Sequence, residues 1–264
     1  MAGTDTSMPW RRVAGCRCAP GFSLIELLVV IAVIAMVIGL LLPSLSRSIA
    51  TARQFRCQVS LRSVGFDFGV FADDTMYGDR GADERIAPRF KLETFQESEY
   101  GIDEFWRWGD KDSQALPDAE GNDPMRCSEV QGALTLRRGA PCRSGGVGPT
   151  ENVSFTFNGR LDRAPQRGTS GPRWTQVTLT DGVVSEPRIP LAWDVDGVVA
   201  ASRGASPVFS APALDATSGP FASGSLWFPA LRHNGAVNVL LTDQSVAPST
   251  DPLAENWNWG FLPR

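Results

Sequence analysis

His233 is the one histidine in the 264-residue chain, so any imidazole chemistry converges on it. A hydrolytic triad would need His233 with Asp243 or Asp215 and an activated serine. The sequence contains no Gly-x-Ser-x-Gly elbow to hold one. A metal centre would need more ligands than one histidine and scattered aspartates supply. The expected role of His233 is therefore structural, tying a loop to the hairpin that follows, with no catalytic residue and no bound metal. Asp194-Val195-Asp196-Gly197 has the opening of a calcium loop. The following Val198-Val199-Ala200 lacks the side-chain oxygens of an EF-hand, which leaves only a calcium site built on backbone carbonyls. P-loop, dinucleotide-fingerprint and zinc-finger spacings are absent. Trp257 and Trp259 have the chemistry to stack on sugars, but edge packing in a core is the expected use.

Five cysteines are present. Cys16 and Cys18 lie near the N-terminus, and Cys57, Cys127 and Cys142 lie further along. In an exported domain two of these three can pair. Cys127 and Cys142 both sit in a Pro/Gly/Ser-rich stretch where a short closed loop would help order, so a Cys127–Cys142 disulfide is the favoured pairing, with three reduced thiols as the alternative.

Glu26 is an isolated carboxylate in an apolar run. Phe22–Leu42 holds 21 residues and no other charge. At about 1.5 Å per residue it spans about 30 Å, one bilayer core. Arg11, Arg12 and Arg17 precede it, and the next basic residue is Arg47. That asymmetry orients the N-terminus to the cytoplasm. A carboxylate near the end of a span costs roughly 1–3 kcal/mol and calls for a partner. A cut between Gly21 and Phe22 would create one, because the new α-amino group lies four residues before Glu26.

The basic leader, Gly21-Phe22-Ser23-Leu24-Ile25-Glu26 and the apolar run together resemble the type IV prepilin processing signal. The resemblance implies a membrane prepilin peptidase that cuts after Gly21 and N-methylates Phe22. It also implies that Glu26, fifth in the trimmed chain, pairs with the N-terminus of an adjacent subunit during assembly. Pro43 falls where such pilins often carry a kinking proline. Leu231-Arg232-His233 through Asp243-Gln244 is similar to the H-X9-DG element of a large bacterial set of pilin-like proteins. Gln244 departs from it by replacing the glycine. Asp-Gly suits a type I′ turn, in which both residues take positive φ, so Gln244 predicts a different turn or a bulge. Phe55-Arg56-Cys57 and Met125-Arg126-Cys127 are loosely similar to cysteine positions in that set.

Beyond Pro43, Leu42, Leu45, Ile49, Ala52, Phe55, Val59, Phe66 and Val70 recur at helical spacing. One helix from near Ser23 to near Ala72 is predicted, with one face of its second half packed on a globular domain. Within residues 43–66, Arg47, Arg53, Arg56 and Arg62 stand without an acid, whereas the net charge of the whole chain is −4. The remainder is acidic, which argues against a nucleic-acid face. Strand patterns occur at 152–158, 174–180, 188–194 and 235–242. A short helix is predicted over 101–108, and loops over 109–150 and 200–225.

The expected organisation is a leader (1–21), a transmembrane and assembly helix (22–42), the soluble half of that helix (43–72) and a β-rich domain (73–264). The fold class is α+β, a long helix packed on an antiparallel sheet. The expected function is a structural, non-enzymatic subunit of a type IV pilus-like or type II secretion pseudopilus filament. It would sit as a single-pass protein in the inner membrane, with its C-terminal domain periplasmic or extracellular. Its partners would be the prepilin peptidase, like subunits, and an assembly platform with its ATPase. The alternative is a membrane-tethered periplasmic module that binds a glycan, ion or protein.

Overall fold

The computed structural model describes residues 23–73, 89–100, 126–130, 153–165, 174–214 and 221–261. Gly21, Phe22, Cys142, Asp215 and the helix expected over 101–108 lie outside the described residues. The chain divides into two compact units, Met1–Arg47 and Ser48–Arg264.

In the first unit, helix α1 (Leu24–Ala72) begins on a capping box. The Ser23 backbone N–H donates to Glu26 Oε2 at 2.9 Å, and the Leu27 N–H donates to the Ser23 carbonyl at 3.2 Å. A Ser-x-x-Glu start occupies orphan donors and sets a carboxylate at the positive end of the helix dipole. Pro43 lies inside α1. It removes a backbone donor, and the Ser44 and Ser46 hydroxyls donate to the carbonyls of Leu41 and Pro43 beside it. Among the described residues, α1 is the one helix long and apolar enough to cross a membrane.

In the second unit, five strands form a sheet in the order β7-β2-β6-β8-β9. They are β2 (Phe155–Asn158), β6 (Pro190–Asp194), β7 (Phe209–Ser210), β8 (Val237–Leu241) and β9 (Val246–Ser249). All pairings are antiparallel except the edge pair β2–β7. Along β8, Leu240 faces a core shared with α1, while Val237, Val239 and Leu241 join a second cluster with Trp193 and Trp259. Burial of both faces explains why Val237–Leu241 reads as an almost unbroken apolar run. Smaller pieces flank the sheet: β1 (Arg89–Phe90) pairs with β5 (Leu179–Thr180), and β3 (Arg163–Pro165) with β4 (Trp174–Gln176). The helix α2 (Leu92–Tyr100) adds Leu92 and Phe95 to the core.

The predicted long helix and four strand regions are present, but the buried side of the helix is not the one expected. The side of α1 that packs on the sheet carries Cys57, Leu61, Val64, Gly65, Phe68, Phe71 and Ala72. Phe55, Val59 and Phe66, members of the stripe expected to pack there, are 65%, 51% and 59% exposed. At 100° per residue they lie on the opposite side of the helix. Both sides are apolar, so periodicity alone did not choose between them. The segment 200–225 is also more than a loop. It receives the end of a short helix, α3 (Gly197–Ser202), capped by Asp196, and the strand β7, whose partner β2 is distant in sequence.

The disulfide is the other correction. Cys127 is bonded to Cys57, with Cα atoms 4.9 Å apart, and not to Cys142. Closeness along the chain favoured Cys142, but Cys57 lies on the buried side of α1 and Cys127 is wholly buried against it. Closing a loop of this size restricts the unfolded chain by an entropy worth about 4 kcal/mol.

The β8–β9 hairpin is anchored on α1 through two glycines. Gln244 has φ +68°, the residue in the turn that needs the left-handed region. The Gln244 N–H donates to Leu241 O, and the Leu241 N–H donates to Ser245 O. This is a tight turn closed by a bulge, as the Gly-to-Gln departure predicts. A Cβ on Gly65 would stand 2.7 Å from Leu240 Cδ1 and 3.3 Å from the Gln244 Cα. A Cβ on Gly69 would meet the end of the Gln244 side chain. Gly65→Leu is therefore expected to destabilise the domain by about 1–3 kcal/mol by overpacking. Gly69→Ala displaces only a flexible side-chain tip and should cost much less. Denaturant unfolding of the two variants, followed by tryptophan fluorescence, makes the comparison.

Candidate functional site

Two places in the chain concentrate chemistry: the start of α1, and a buried polar cluster where α1, the 126–130 segment and the sheet converge.

At the start of α1, Leu24–Leu42 presents large apolar side chains that are 47–79% exposed. The Glu26 carboxylate is engaged locally with the Ser23 amide, a contact the Ser-x-x-Glu spacing could have signalled.

The buried cluster centres on His233. A two-residue turn, Asn234 (φ 54°) and Gly235 (φ 82°), folds the chain back so that His233 and Ala236 exchange backbone hydrogen bonds. These are type I′ torsions, which Asn-Gly adopts readily. The turn delivers β8 into the sheet and holds the imidazole inside, with its side chain fully buried. Nε2 lies 3.7 Å from Cys127 Sγ and 3.5 Å from Asp194 Oδ2. Nδ1 lies 3.5 Å from Glu129 Oε2 with no hydrogen bond between them. The structural role expected of His233 is thus joined to a set of partners that sequence spacing did not indicate. Asp243 is not among them. It stands beyond the far end of β8 and accepts from the Ser245 backbone and hydroxyl.

Asp194, at the end of β6, is fully buried. Its Oδ2 accepts from the Asn238 backbone at 2.8 Å, while its Oδ1 has no hydrogen-bond partner among the described residues. Arg232 runs beside it and donates to the carbonyls of Ser154 and Val195 at 2.8 and 2.7 Å. Burial pushes the Arg232 guanidinium below its ordinary pKa, and the nearby Asp194, Asp196 and Glu129 carboxylates pull it back up. Buried ions survive only where such compensation exists. The two aspartates of the candidate calcium loop serve different ends. Asp194 turns inward to His233, and Asp196 Oδ1 accepts from the Val199 N–H to cap α3. Trp257 and Trp259 enter a four-tryptophan cluster with Trp193 and Trp227. Trp259 is buried and donates from Nε1 to Pro252 O.

Residues 16–42 match the family model of the prokaryotic N-terminal methylation motif. That motif is characteristic of type IV pilins and pseudopilins. No curated protein and no solved structure matches the chain.

The disulfide links α1 to the segment that carries Glu129. Peptide mapping under non-reducing conditions should recover a Cys57–Cys127 linked pair that disappears on reduction. Replacing both by serine should lower domain stability by about 2–5 kcal/mol. Recovery of a Cys127–Cys142 pair instead would contradict the structure.

Proposed function

We propose that this chain is a structural subunit of a type IV pilus-like or type II secretion pseudopilus filament. The methylation motif supports a processed, pilin-like subunit anchored in the inner membrane by the apolar start of α1. In this reading prepilin peptidase cuts after Gly21 and methylates Phe22, and the C-terminal domain is carried outside the cytoplasm. The new amine at Phe22 offers Glu26 a cationic partner in a neighbouring subunit, which sets the axial register on entry to the filament. An assembly platform and its ATPase extract the subunit from the lipid. The chain acts by packing and catalyses no reaction.

The observation that carries this reading is the second apolar side of α1. Phe55, Val59 and Phe66 stand in solvent on a helix whose other side is already buried in the domain. Large apolar side chains aligned on one helical face mark a surface that meets another apolar surface. Arg56 and Arg62 lie at helical positions to either side of this row. A filament of like subunits would cover the row with neighbouring helices and replace the lipid around Leu24–Leu42.

Two experiments separate processing from assembly. Gly21→Trp should leave an uncut, unmethylated precursor in the membrane, seen by intact-mass measurement. Normal maturation of this variant would overturn the processing assignment. Phe55→Asp with Phe66→Asp should give a processed, folded subunit, still cross-linked between Cys57 and Cys127, that enters sheared filaments at least about tenfold less. Unchanged filament yield would overturn the packing role of that face.

A further inference from the structure

Cys57 Sγ, Cys127 Sγ and His233 Nε2 come from three distant parts of the chain, yet these ligand atoms lie within 4.8 Å of one another and all three residues are buried. We infer that the reduced protein binds a single zinc-type divalent cation at Cys57, Cys127 and His233, with the Asp194 carboxylate as fourth ligand. Disulfide and metal are then alternative occupants of one site that fastens α1 to the sheet.

The donor set suits such an ion. Two thiolates, one imidazole and one carboxylate form a tetrahedral shell for zinc, with metal–sulfur distances of about 2.3 Å and metal–nitrogen and metal–oxygen distances of about 2.0–2.1 Å. Those radii require ligand edges of about 3.6 Å between sulfur and nitrogen and about 3.3 Å between nitrogen and oxygen. The corresponding separations are 3.7 Å from Cys127 Sγ to His233 Nε2 and 3.5 Å from Nε2 to Asp194 Oδ2. Reduction has to let the two sulfurs part to about 3.8 Å and to bring the Asp194 carboxylate, which lies outside the 4.8 Å group, to about 3.6 Å from each sulfur.

The surroundings match as well. A histidine that ligates through one ring nitrogen commonly presents the other to a carboxylate. Glu129 stands 3.5 Å from Nδ1 in that position. Ser128 Oγ is 3.9 Å from Cys57 Sγ, placed to donate to a thiolate. Asp194 Oδ1 is buried with no hydrogen-bond partner among the described residues, so one carboxylate oxygen is uncommitted. The two thiolates and the carboxylate would leave the site one negative charge in excess, and Arg232 lies beside Asp194 to offset it. Ser128 is exposed and the Glu129 side chain is 19% exposed, which gives an ion a way in from solvent.

The chemistry balances with a phosphine as reductant. The disulfide accepts two electrons and two protons, and the phosphine becomes its oxide with oxygen from water. The cation then displaces the two thiol protons, so uptake releases about two protons per ion.

The test uses the full chain in detergent, with Cys16, Cys18 and Cys142 replaced by serine to leave one pair of thiols. After phosphine reduction, cobalt(II) is added as an optical stand-in for zinc. The expected result is one ion per chain with the intense d–d bands of a tetrahedral thiolate site, lost on adding zinc and absent from the oxidised chain. His233→Ala should abolish the bands, and Glu129→Gln should weaken zinc affinity about 10–100-fold. Fluorescence of the tryptophan cluster reports whether the reduced chain stays folded. A reduced, folded chain with no tetrahedral spectrum would overturn the site, as would unchanged affinity in His233→Ala. Should reduction unfold the domain, zinc must restore the native fluorescence, and failure to do so overturns the proposal equally.

Discussion

The second unit depends on burial of one side of α1 between Cys57 and Ala72. Leu61, Val64, Phe68 and Phe71 meet Phe90, Phe95, Phe157, Leu191 and Leu240 in one core. The phenylalanines pack edge to face, with Phe68 and Phe71 each against Phe90 and Phe95. Each such side chain contributes about 1.5–3 kcal/mol by leaving water, and the edge contacts add to this. α2 adds Phe95 against Phe157 in the same core. The helix is thus a structural wall of the domain as well as the continuation of the apolar segment.

Three fasteners hold that wall in place, each by a different kind of force. The disulfide ties Cys57 to the 126–130 segment. A side-chain hydrogen bond joins Gln58 Nε2 to Asn238 Oδ1 at 3.0 Å. The hairpin turn at Gln244 presses into the space left open by Gly65 and Gly69. Gln244 occupies a left-handed position where glycine is easier. Its side chain lies over Gly69, which gives physical sense to a residue that departs from its expected pattern.

The polar cluster beneath β8 has a different character. Asp194, Arg232 and His233 place ionisable groups in a region where burial is costly, and carbonyls and opposite charges meet most of that cost. Such groups specify where the 231–236 turn and the end of β6 must lie, since displacing one strands the others. The same packing brings His233 beside the two cysteines at the point where α1 is fastened to the domain.

The N-terminal methylation motif, the apolar helix and most strand regions were legible in the sequence because they depend on local order. Length, periodicity and the spacing of Gly21, Phe22 and Glu26 are properties of adjacent residues. The capping box was also local and could have been found from Ser23 and Glu26. The choice of buried side on α1, the Cys57–Cys127 pairing and the gathering of Asp194, Glu129 and the cysteines around His233 were decided only by tertiary structure. Each joins residues far apart in the chain, and helical periodicity is blind to which of two apolar faces finds a partner. One-dimensional spacing therefore determined how α1 begins, while long-range packing determined which of its apolar surfaces is buried and which stays exposed.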